Sequence, residues 1–176
     1  MKYEIIMQEY LLINHCNESL IAVDLFEAYS KDHNTRELFG DSQSWQVLRF
    51  SLFLSAITGA CELHNLIKNS PKYSVRYAEI CNKSYKKIQY IRQGAVHVHN
   101  NVHKIEESIG SRATFNTVVG KGRMGTSDGK PVGTNEYHDD ILIVYGDCEL
   151  HVVRDLKKVL LSMREILAPD SRNVAV

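Results

Sequence analysis

The apolar positions of this chain fall into several helical rhythms and one alternating block. Ile6, Ile13 and Leu20 repeat by seven, with Tyr10, Cys16 and Val23 between or just beyond them. One apolar stripe therefore persists and predicts a helix over residues 2–30. Residues 31–44 (KDHNTRELFGDSQS) are turn-rich and read as a loop, with Ser42 or Ser44 as an N-cap for the next helix. That second helix, over residues 45–69, is apolar nearly all round through Val47, Leu48, Phe50, Leu52, Phe53, Leu54 and Ile57. Such a helix belongs in the middle of a bundle, and Asn69-Ser70-Pro71 stops it. The third spans residues 74–109 and closes at Gly110. Its Ile88, Ile91, Ala95, Val98, Val102, Ile105 and Ile109 follow spacings of 3, 4, 3, 4, 3 and 4, a seam for shallow-angle packing. Gly94 interrupts it at a cost of about 1 kcal/mol against Ala and marks a place for a kink.

Residues 111–146 change character. Gly120, Gly122, Gly125, Gly129, Gly133 and Pro131 punctuate them, flanked by the β-like runs 114–119 (TFNTVV) and 141–145 (ILIVY). These predict a β-hairpin or two short strands around a long loop, and loops of that length are functional or mobile. Asp147 then caps a fourth helix, over residues 148–167, with Val152, Val153, Leu156, Val159, Leu160, Met163 and Leu167 on its apolar face, and Pro169 ends it. The fold predicted is all-α: an up-and-down four-helix bundle, one domain over residues 1–176, with 111–146 inserted before the last helix.

Charge refines this picture. The 176 residues carry 21 Lys+Arg and 21 Asp+Glu, a net charge of zero, which excludes a globally basic nucleic-acid binder and an acidic disordered chain. By segment the balance is uneven. Residues 1–79 hold 7 positive and 10 negative (net −3), residues 80–134 hold 9 and 3 (net +6), and residues 135–176 hold 5 and 8 (net −3). No uninterrupted apolar run reaches the 18 residues of a membrane span, and the first ten residues place acids where a signal peptide needs an apolar block. A cytoplasmic protein without membrane contact is expected. Cys16, Cys61, Cys81 and Cys148 are far apart and read as buried small hydrophobes, not as a disulfide framework.

The basic middle contains the one constellation suited to chemistry, Arg92-Gln93-Gly94-Ala95-Val96-His97, followed by His99. Arginine offers a fixed fork of donors to a pentacoordinate phosphate. Histidine moves a proton to or from a 2′-hydroxyl or leaving group near neutral pH. Gln93 can orient either, and Lys83, Lys86, Lys87 and Lys104 add charge for a nucleic-acid backbone. An arginine and a polar residue, with histidine after four to six intervening positions on a helix of an all-α bundle, resembles the HEPN family (higher eukaryote and prokaryote nucleotide-binding). The sequence departs from the commoner pattern in having Gln93 where Asn, Asp or His is usual. The resemblance implies a small helical homodimer. Its activity would be metal-independent endoribonuclease chemistry of toxin, antiviral or RNA-processing type, without a cofactor and with a possible cognate protein partner. The alternative it implies is a member that has lost catalysis and binds a nucleotide, RNA or protein.

His97 and His99 both satisfy the spacing. On an unbroken helix His99 returns to within about 20° of Arg92, roughly 10 Å along the axis, whereas His97 lies about 140° round. The family pattern favours His97, the helical wheel His99. His99 and His103 also stand at i, i+4, a spacing at which two imidazoles can share a metal, with His97 or His138-Asp139-Asp140 to complete a site. Nothing fixes a third ligand and no HExxH is present, so surface polar histidines and no metal site are expected. The segment 120–133 is no P-loop, since Pro131 stands where a magnesium-binding Ser/Thr belongs, but Lys121, Arg123 and Lys130 could close over RNA. Glu136-Tyr137-His138-Asp139-Asp140 reads as an acid/base pair or, more simply, as a polar turn guarding the strand after it. Trp45 and the nine tyrosines read as core or interface positions.

Overall fold

The computed structural model describes residues 2–32, 42–74, 77, 83–96, 115–127 and 130–168. Helices α1 (Lys2–Lys31), α2 (Ser42–Lys68) and α3 (Lys83–Val96) precede five strands: β1 (Asn116–Val119), β2 (Gly122–Ser127), β3 (Lys130–Asn135), β4 (Ile141–Tyr145) and β5 (Cys148–His151). A π-helical segment, Val152–Lys157, then runs into α4 (Lys158–Leu167). The strands form an antiparallel sheet in the order β1-β4-β5 and a separate antiparallel ribbon of β2 and β3.

The chain is therefore mixed α/β, and the expected all-α four-helix bundle is overturned. The reason lies in β4. All five of its residues are buried, with Ile141, Ile143 and Tyr145 turned to the helices and Leu142 and Val144 turned to Val118 and Met124 on the other face. A strand covered on both faces reads as an unbroken apolar run, not as an alternation. The β segment is thus a layer of the core between helices and ribbon, and not an appendage to a bundle. The glycine-rich stretch supplies the ribbon, in register from Gly122 opposite Asn135 to Ser127 opposite Lys130.

The fourth helix is also shorter than predicted. Residues 148–151 pair with β4 as a strand, Tyr145 opposite Cys148 and Leu142 opposite His151. The two-residue turn between them starts at Gly146, whose φ of 58° is the left-handed geometry that primed hairpin turns require. Leu150 is buried and Glu149 exposed, a period of two that the helical rhythm beyond Val152 obscures.

The helices close one side. Cys16, Leu20, Val23 and Phe26 of α1 share a core with Phe53, Ile57, Leu63 and Ile67 of α2 and with Leu160, Met163 and Ile166 of α4. Helix α2 is not buried all round: Val47, Phe50 and Leu66 are exposed. By length and composition alone Gln43–Lys68 could cross a membrane, but half of its most apolar window is packed inside the fold, as in a core helix. Helix α1 ends at Lys31 and α2 begins at Ser42, close to prediction. The predicted third helix is described as α3, and the part of its seam from Val98 to Ile109 lies outside the described residues. Cys16 and Cys61 are buried, Cys148 is half-buried, and all three are free thiols; Cys81 lies outside the described residues. Burial pushes the Cys16 thiol up to about 11, against a smaller opposing effect of Arg164.

Gly94 lies within helix α3, in close contact with Tyr145. A Cβ there would stand 2.1 Å from Cε1 of Tyr145, so glycine lets α3 lie directly against β4.

Candidate functional site

Helix α3 is two-faced. Tyr85, Ile88 and Ile91 are buried, while Lys86, Gln89, Tyr90 and Gln93 form one exposed stripe at spacings of 3, 1 and 3. Lys87 and Arg92 flank these faces, each half-buried.

Lys87 donates to Asp155 in the π-helical segment at 3.2 Å. The same carboxylate accepts from the Ser84 hydroxyl at 2.7 Å and from the His151 amide at 3.0 Å. Burial pushes the Asp155 carboxyl up, but the His151 amide, Ser84 and Lys87 together outweigh burial and hold it below its ordinary value. Lys87 is thus tied to the fold at one end.

Arg92 turns toward α2, close enough to Cys61 to offset part of the rise that burial imposes on that thiol. Its Nε is buried without a hydrogen-bond partner. Among the described residues no carboxylate makes an ion pair with Arg92. Gln93, the next residue, is exposed. His97, His99, His103 and Lys104 lie outside the described residues, as does the side chain of Lys83. Among the described residues no group of three or more His, Cys, Asp or Glu side chains could hold a metal ion.

Lys86, Lys87 and Tyr90 line an open depression of about 590 Å³ with Asp147, Cys148 and Glu149 of the β4–β5 hairpin. Lys121 and Arg123 are exposed elsewhere. The Gly120 amide bonds to the Asp140 carbonyl at 2.9 Å, which fixes that turn at the start of β4. The depression lies at the other end, beside Gly146. Strand β4 separates the two by about 14 Å at the usual rise per residue. Among the described residues, Lys86 and Lys87 therefore stand apart from Lys121 and Arg123.

The segment Glu136–Asp140 builds a clasp. Asp140 is fully buried. Its carboxylate accepts from the amides of Ile141 (2.7 Å), Val153 (2.8 Å) and Arg154 (3.1 Å) and from the Arg154 guanidinium at 3.0 Å. It therefore caps the π-helical segment from across the chain, where the local cap residue His151 offers no side-chain bond. Arg154 also reaches Asp139 at 3.0 Å and lies over the Tyr137 ring at 3.7 Å. These contacts make the two acids structural, and they agree with the simpler expectation of a polar turn before the strand.

Sequence reasoning passed over a second concavity. It lies between the start of α2, Phe26 of α1 and the β1 edge of the sheet, with a volume of about 570 Å³. Arg49 sits in it beneath Trp45, its guanidinium carbon 4.3 Å from the ring centroid. The available signal was the i, i+4 pair Trp45/Arg49, the one cation within an otherwise apolar helical stretch. Comparison of the chain with protein-family models, curated proteins and solved structures finds no match.

Proposed function

We propose that this protein is a non-catalytic binding module that takes single-stranded RNA on the outward stripe of α3. The observation that carries it is the exposed row Lys86, Gln89, Tyr90 and Gln93 on a helix whose other side is locked into the core. Lysine supplies a phosphate contact, an exposed tyrosine ring a stacking platform, and the glutamines hydrogen bonds. Lys87 spends its charge on Asp155, and Asp147 and Glu149 border the same depression. Few phosphates are therefore engaged, and affinity is modest and local.

A second function keeps one observation in its favour. Arg92 has no carboxylate partner among the described residues, so its fork is uncommitted, as a metal-independent ribonuclease with His97 or His99 as acid/base would need. Incubating the protein with fluorescein-labelled single-stranded RNA in EDTA separates the two. The binding module retains the RNA intact, with log affinity falling against log salt at a slope of only about −1 to −2. Cleavage that disappears in Arg92→Ala would establish the nuclease instead.

A further inference from the structure

The Arg49 cleft carries an inference independent of α3. Its walls are Val47 and Phe50 of α2, Phe26 of α1, and Phe115, Met124 and Ile143 from the sheet side. Phe115 stacks on Tyr145, with centroids 4.4 Å apart and planes at 13°, and meets Phe50 at 5.3 Å. The aromatic wall is thus fixed from behind. Val47 is 60 % exposed and Phe50 36 %, so apolar surface faces the opening.

Arg49 is the exception in this lining. Its Nε donates to the buried Ser30 hydroxyl at 2.9 Å, and its guanidinium lies between the Trp45 ring at 4.3 Å and the Phe26 ring at 5.6 Å. The hydrogen bond and the ring contacts hold the fork in one plane. Among the described residues no carboxylate makes an ion pair with it, and burial disfavours its charged form. A half-buried cation in an apolar cleft calls for an anion, and a pre-oriented guanidinium matches a carboxylate with two parallel N–H donors. The volume suits a small molecule.

We propose that this cleft binds a small amphipathic carboxylate, with its head group on Arg49 and its apolar body along Val47, Phe50 and Phe115. Charge complementarity selects this class over a neutral apolar ligand.

Trp45, the single tryptophan of the chain, reports on the site from beside the guanidinium. The test titrates the protein with decanoate below its micellar range and with decanol, which has the same chain length and no charge. Emission is followed alongside calorimetry, and circular dichroism checks the fold of each variant. The expected result is saturable one-to-one binding of decanoate at least tenfold tighter than decanol. Arg49→Gln should remove that preference, and Arg49→Lys, which retains the charge without the fork, should recover part of it. Equal affinity for decanoate and decanol would overturn the proposal, as would no saturable binding of decanoate. Unchanged decanoate preference in a folded Arg49→Gln would overturn it too. If Arg49→Gln does not fold, the wild-type comparison and Arg49→Lys decide alone.

Discussion

Lys87 and Asp155 join α3 to the π-helical segment, at 3.2 Å, with Ser84 and the His151 amide on the same carboxylate. One basic residue of the candidate nucleic-acid face is thereby a structural tie. Asp155→Ala strands the Lys87 charge and the Ser84 and His151 donors. The side chain of Asp155 is only 14 % exposed, so the loss should be about 2 kcal/mol in urea unfolding. A change within experimental error would show the tie to be idle.

Two pH windows arise from titrating groups. His64 stacks on Tyr85 with centroids 3.5 Å apart and shares a hydrogen bond with Tyr77. Burial, and then Lys68, brings its pKa down to about 4. The unfolded chain takes up this proton near its ordinary value of about 6.5. The stability His64 confers is therefore complete above that value and is lost as pH falls toward 4. Asp155, also depressed, adds a second loss only below the ordinary carboxylate value of about 3.9. Imidazole NMR should find His64 neutral at pH 5.5, and a midpoint near 6.5 would refute its burial.

Asp140→Ala should be the most damaging single change in the clasp. It leaves three backbone amides and the Arg154 Nη1 without their acceptor, while Nη2 keeps Asp139, a loss of about 3 kcal/mol or more. Asp140→Asn retains the shape and part of the bonding and should fall between. Equal unfolding midpoints for the three proteins would contradict the capping role.

At Gly94, helix propensity and packing predict opposite signs. Alanine would gain about 1 kcal/mol as a helix former on an exposed face. Here its Cβ would meet the Tyr145 ring, and overpacking should cost about 1–3 kcal/mol. Gly94→Ala should lower the unfolding midpoint, and pairing it with Tyr145→Leu should recover part of the loss. Stabilisation by Gly94→Ala alone would mean that α3 does not rest on β4.

Local pattern made α1, α2 and the ILIVY strand legible, because α1 repeats its apolar positions and the other two are nearly continuous apolar runs. The architecture was not legible. The unbroken ILIVY run is what a strand covered on both faces displays, but the run does not name its second cover, which Val118 and Met124 supply. Residues 148–151 lost their strand identity to the helical rhythm beyond them, since four residues are too few to display a period of two beside a longer helix. The charge count located a basic middle but not the separation of its described cations Lys86 and Lys87 from Lys121 and Arg123, which depends on β4 lying between Gly120 and Gly146. Arg92 and Gln93 were found as neighbours in sequence. That they face different surroundings comes from the 100° step of the helix and from the position of α2.

The most direct test of the α3 surface is fluorescence anisotropy of labelled single-stranded RNA with Lys86→Ala, Tyr90→Ala, Tyr90→Phe and Arg92→Ala, each checked for fold. Tyr90→Ala should weaken binding by about tenfold, in line with about 1–3 kcal/mol per stacked base, and Lys86→Ala should weaken it and lower the salt slope by about 1. Tyr90→Phe should bind as the wild type, and Arg92→Ala should bind nearly so. RNA affinity indifferent to Lys86 and Tyr90 but abolished by Arg92→Ala would contradict the account.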